Sequence, residues 1–225
     1  MVRCSQEFLQ IPNKEEFHAK LFSQADNRMY MVARNLVDSS WGNPSSMADG
    51  VGVLLYIWNR AFYQDGSTLD FDELEDCIDR NLQVLQSFRN KSILKLSEPD
   101  AEIINKLFND FMNALAGVKE TEEGERKIKK GPVGVTKAFH LLAPKFFPMW
   151  DTQIAIDYRC RYSTENAAER YIRFCKWIKQ FAESVNKKCR PLPNDRTLVK
   201  LIDEYNHKTR STKEEKHYKV LRKAS

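Results

Sequence analysis

Apolar residues recur at three- and four-residue steps along most of the chain, the spacing that lays one stripe on one face of an α-helix. Phe71, Leu74, Ile78, Leu82, Leu85 and Phe88 form such a stripe, and Asp70 with Glu73 ahead of it has the spacing of a capping box. The next helix is expected from Ser97, with Pro99 in its first turn and Ile104, Leu107, Phe108, Phe111 and Leu115 on one face. Residues 164–185 repeat the pattern through Ala168, Tyr171, Cys175, Ile178 and Ala182, and Pro191-Leu192-Pro193 precedes a last packed helix. Residues 28–37 and 47–63 also read as helical, separated by the break Ser39-Ser40-Trp41-Gly42-Asn43-Pro44. No segment alternates convincingly with the two-residue period of a strand. The expectation is an all-α fold: one helical domain over 1–207, arranged as a two-lobed bundle. Lys119–Lys130 (KETEEGERKIKK), with five basic and four acidic residues, is expected as a surface linker, placing the hinge near 118–131.

The stretch that follows, GPVGVTKAFHLLAPKFFPMWDTQIA over 131–155, carries the candidate chemistry. Pro132-Val133-Gly134 reads as a tight turn at the start of a helix. Backbone N–H groups in the first helical turn, at Val133, Gly134, Val135 and Thr136, are candidate phosphate ligands that read no bases. Ala143 to Pro148 ends that helix, and Asp151 stands where the next helix needs an N-cap. Lys137 is an amine on the first helix, and His140 lies one turn beyond it. The residues at 56–63 are rich in rings (Tyr56, Trp58, Phe62, Tyr63) at a spacing that suits core packing.

With its glycine-marked turn, its helix and the proline-containing loop Phe147-Pro148-Met149-Trp150-Asp151-Thr152, the stretch resembles the helix-hairpin-helix DNA glycosylase superfamily. The 136–151 pattern is also similar to one in uncharacterised all-helical proteins. The resemblance implies a helix-hairpin-helix near 122–143 and a protein that removes a damaged or mismatched base from DNA. It implies that Asp151 stabilises the cationic sugar and that Lys137 is the amine of an AP-lyase activity. His140 and Trp150 are candidate pocket residues. Aligning Gly134 and Ala138 with the family's small residues puts the nucleophile position on Thr136; Lys137 is one residue on, about 100° around the helix. A non-catalytic helical domain that binds nucleic acid or protein is the alternative function.

Composition narrows the setting. The chain has 225 residues, 42% hydrophobic and 30% charged, which suits a globular body. Net charge is +5, and residues 208–225 alone carry that excess through seven Lys/Arg against Glu214 and Glu215. This basic tail, together with the turn at 132–136, is expected to attract DNA phosphates. No apolar run reaches a membrane span and no signal-peptide core opens the chain, so an intracellular location without membrane contact is expected. Cys4, Cys77, Cys160, Cys175 and Cys189 are too scattered for a disulfide framework or zinc knuckle, and the four-cysteine iron–sulfur pattern of some glycosylases is absent. No metal and no cofactor are expected. Lys176 and Lys179 beside Trp177, and Asp203 and Glu204 on the last helix, read as solvated face residues.

Overall fold

The computed structural model describes residues 11–21, 27–63, 67–120 and 126–210. It is mostly helical, with a small three-stranded antiparallel sheet. In chain order the elements are α1 (Lys14–Ala19), α2 (Arg28–Ser39), α3 (Pro44–Trp58), α4 (Arg60–Tyr63), β1 (Thr68–Leu69), α5 (Phe71–Arg89), α6 (Asp100–Ala114), β2 (Gly117–Glu120), β3 (Arg126–Lys129), α7 (Pro132–Leu142), α8 (Thr152–Asp157) and α9 (Ala167–Lys188). A final helix, α10, covers 198–210.

The helix starts follow local chemistry. Asn43 accepts the Ser46 N–H at 3.2 Å ahead of Pro44, and Asp70 accepts the Glu73 N–H at 3.1 Å. Gly42 turns the chain between α2 and α3 at φ +94°, a left-handed conformation that costs glycine little.

The all-α expectation is corrected by the sheet. The segment expected as a linker pairs with itself: Gly117 opposes Lys129, Val118 opposes Ile128, Lys119 opposes Lys127 and Glu120 opposes Arg126. The arm leading into the turn at 131 is therefore strand β3, paired with β2, and where the helix-hairpin-helix was expected near 122–143 the described residues form a strand followed by α7. Two glycines let this ribbon seat closely on α4. A Cβ at Gly131 would lie 2.5 Å from the Phe62 ring, and one at Gly117 would lie 3.2 Å from it.

Helix α7 runs through the centre. Pro132, Gly134, Val135, Thr136 and every residue from Ala138 to Leu142 are buried, which explains a helix apolar almost all round. Phe139 packs on Phe111 and Phe147 with ring centroids 5.2 and 4.7 Å apart, and Phe147 on Phe88 at 4.9 Å.

His140, wholly buried on α7, makes a prediction possible. The Phe147 carbonyl can only accept, so the proton sits on Nδ1 (2.7 Å), and Nε2 accepts from the Tyr30 hydroxyl at 3.1 Å. Burial pushes the imidazole from 6.5 down to about 4. The unfolded chain therefore binds a proton between these values that the folded chain refuses, so stability falls as pH drops from 6.5 to 4. The loss is expected to be about 3 kcal/mol. Burial alone would raise Asp38 and Asp100, but Arg34 and Arg89 hold the first below 3.8, and Lys91 and Ser97 the second. Their losses therefore begin at lower pH. Urea midpoints between pH 7.5 and 4 check this, with His140→Gln expected to flatten the upper window.

Candidate functional site

The loop after α7 is held by its carbonyls. His140 takes that of Phe147, and the Tyr171 hydroxyl donates to that of Pro148 at 2.8 Å. Thr136 Oγ1 accepts the Trp150 N–H at 3.3 Å and faces the Trp150 carbonyl at 3.4 Å. These ties deliver Asp151 to the N-cap of α8, where Oδ1 accepts the N–H groups of Gln153 (2.9 Å) and Ile154 (2.6 Å).

Asp151 and Lys137 then line one cleft of about 430 Å³, with Trp58, Met149, Trp150, Ile154, Lys200, Asp203 and His207. That volume lies within the roughly 300–1,000 Å³ of small-ligand sites. Lys137 is half-buried and donates from Nζ to the Trp58 carbonyl at the end of α3. Burial drives its ammonium from 10.5 down to about 8, against the opposing pull of Asp151 and then Asp203. At neutral pH about a tenth of the amine is then unprotonated, whereas an ordinary lysine keeps under a thousandth.

The walls are aromatic. Trp58 stacks on Tyr30 at 5.7 Å, and Trp150 on Tyr162 at 4.7 Å. Lys200, 1% exposed, lies 5.2 Å from the Tyr30 ring centre and 5.3 Å from that of Trp58, and its Nζ bonds Asp203 at 2.9 Å. A second cleft of about 420 Å³ has its guanidinium groups already engaged: Arg34 with Asp38 at 2.7 Å, and Arg196 with Glu204 at 2.8 Å.

The sequence-derived candidates separate accordingly. Lys137, Asp151 and Trp150 meet in the cleft. Thr136, where the alignment put a nucleophile, is buried and holds Trp150, while the next residue takes the cleft side. His140 is a loop anchor outside the cleft lining. Gly134 and Val135 are buried, Gly134 beneath Asn59 and Leu55, and Val133 is half-buried. The first turn of α7 is thus packed against α3 rather than laid open.

Asp203 and Glu204, expected on a solvated face, are corrected: Asp203 lines the cleft and Glu204 is fully buried. Their signal was present as Lys200, Asp203 and His207, at i, i+3 and i+7 on one face of α10. Of the ring cluster, Trp58 alone lines the cleft; Tyr63 is buried in the core and Tyr56 is exposed. The tail beyond 210 lies outside the described residues. Its first lysine, Lys208, donates to the Leu21 carbonyl at 3.1 Å.

Among the described residues no group of His, Cys, Asp and Glu is placed to hold a metal ion, and no helix is long and apolar enough to cross a membrane. Searches against protein-family models, curated proteins and solved structures find no match for this chain.

Proposed function

We propose that the protein is a DNA glycosylase-like enzyme that removes a damaged or mismatched base, with an AP-lyase step at Lys137. The observation that carries this reading is that Lys137 and Asp151 line one aromatic-walled cleft, with the amine pushed down to about 8. The likeness of 131–152 to the glycosylase motif supports it, although this chain enters the motif by a strand.

The cleft is lined by residues of α3, α7, α8 and α10, an enclosure that suits an extruded nucleotide. Neutral Lys137 Nζ attacks the sugar C1′ as the C1′–N bond breaks. The electron pair of that bond leaves with the base, which takes up a proton, and the attacking nitrogen sheds one. Asp151 stabilises the positive charge that builds on the sugar. The C1′–O4′ bond of this N,O-acetal then breaks, the ring oxygen taking up a proton as the nitrogen lone pair forms the C=N bond of a Schiff base, which borohydride reduces to a stable amine.

Borohydride trapping on duplex DNA with an abasic site is expected to yield one covalent adduct, mapped by peptide sequencing to Lys137. Trapping is expected to rise with pH and level off above about 8, as the amine loses its proton. No adduct and no base release from any lesion-bearing duplex would establish the alternative, a helical domain that binds without chemistry.

A further inference from the structure

Helix α2 carries apolar residues on two sides. Tyr30, Ala33 and Val37 face the core, while Met29, Val32 and Leu36 are 41–47% exposed. At about 100° per residue these three fall within roughly 60° of one another, a second stripe beside the buried one. The stripe borders α3. A Cβ at Gly50 would lie 2.7 Å from Val37 Cγ2 and 3.3 Å from Leu36 Cβ, so the two helices meet there with no side chain on the α3 side. Next to this contact α3 shows Val53, half-buried, and Ile57, exposed. The two helices thus turn one apolar strip to solvent. Exposed apolar residues scattered singly need no explanation, but a contiguous strip marks a surface made for contact.

Charge and symmetry identify the occupant. Val37 meets Gly50, and Tyr30 stacks on Trp58 at 5.7 Å, so α2 and α3 run antiparallel and residue 33 stands level with 54. The stripe from Met29 to Leu36 is therefore centred on the level of residues 54 and 55. Two exposed charges are centred on the same level: Asp49 near the start of α3 and Arg60 just past its end. The Asn59 N–H still donates to the Leu55 carbonyl at 2.8 Å, so the chain keeps the direction of α3 up to Arg60. A two-fold axis at that level, perpendicular to the helices, lays the strip on its own copy with the helices reversed. The same rotation sets Asp49 against Arg60 of the second copy, twice over. It also carries Arg28, which opposes the helix dipole in the first turn of α2, to the C-terminal end of the second copy's α2, whose last turn holds no basic residue.

We infer that the α2–α3 face is a docking surface for a second copy of this chain, closing as a two-fold four-helix contact with an Asp49–Arg60 pair at each end. The inference goes beyond the glycosylase reading and does not depend on it. Trp58, beside Ile57, lines the cleft, so the hairpin that supplies a cleft wall also carries the contact. The strip is small, and association in roughly the micromolar range is expected.

Sedimentation velocity of the full chain from about 1 to 200 μM is expected to show monomer passing to dimer. Val32→Glu puts a charge in the middle of the strip and is expected to weaken association by about 30-fold or more. Asp49→Arg and Arg60→Asp each oppose like charges twice per dimer and are expected to weaken it by about 10-fold. Asp49→Arg/Arg60→Asp exchanges the two charges and is expected to restore the unmodified affinity. Circular dichroism checks the folding of each variant. A chain that stays monomeric throughout would overturn the inference. So would a dimer indifferent to Val32→Glu, which puts the contact elsewhere, or a double variant no better than the singles, which removes the two-fold pairing. A monomer whose Val32→Glu variant melts markedly lower would overturn it as well, because the chain's own residues then cover the face.

Discussion

Asp151→Asn is expected to cut base release about 100- to 1,000-fold while leaving thermal stability nearly unchanged. Asparagine caps a helix about as well as aspartate, so the bonds to Gln153 and Ile154 survive and α8 keeps its start. What goes is the negative charge beside the reacting sugar. Asp151→Ala separates the two roles from the other side, since it adds a cap loss of about 1 kcal/mol to the same loss of rate. If Asp151 served only as a cap, the asparagine variant would keep its rate and the alanine variant would lose stability alone.

The pH profile adds a second readout. The Asp151 charge raises the Lys137 pKa against the larger effect of burial. Asp151→Asn should therefore move the amine further below 8, shifting the rise in residual trapping to lower pH. Lys137→Gln, by contrast, should abolish the adduct at every pH. Both are checked by single-turnover base release and trapping across pH 6 to 9.

How much of this was legible in the chain depended on what set each element. Helices α5, α6 and α9 are driven by their own apolar stripes, and Asp70 starts α5 locally as Asn43 starts α3, so spacing and caps alone reveal them. Asp151 was legible for the same reason, because a cap is a local device. Strands β2 and β3 are four residues each and together mostly charged; neither carries an alternating apolar face, and their pairing with each other, the pairing of β2 with β1 and the seat on Phe62 make them strands.

The alignment at Thr136 was read from α7 alone. Its register rested on Gly134 and Ala138, and in the fold Thr136 turns inward to Trp150 while Lys137 faces the cleft. The floor of the site was hardest to read. Lys200, Asp203 and Glu204 look like a solvated face until partners far along the chain, Asn27 and Trp58 among them, enclose them.

Those enclosed charges support the second large effect. Glu204, fully buried, accepts from Asn27 Nδ2 at 2.9 Å and Arg196 at 2.8 Å, with Lys200 Nζ at 3.6 Å. Glu204→Leu strips the carboxylate from between buried Lys200 and half-buried Arg196, which then lean on Asp203 and Asp195, and is expected to cost about 3 kcal/mol. The cost comes from the charges left behind more than from the bonds lost. Replacing the set together, as Glu204→Leu/Arg196→Leu/Lys200→Met, is therefore expected to recover most of it, because apolar side chains of similar volume need no partner. Urea unfolding of the three proteins checks the order: unmodified, then triple, then single. A triple variant as unstable as the single would show that packing at Glu204, not unpaired charge, sets the loss. The triple variant also tests the cleft. With Lys200 gone, Asp203 is released from its 2.9 Å bond, and its negative charge acts more fully on the nearby amine. Trapping by the triple variant should then level off at higher pH than in the unmodified chain, reporting on Lys137 through α10.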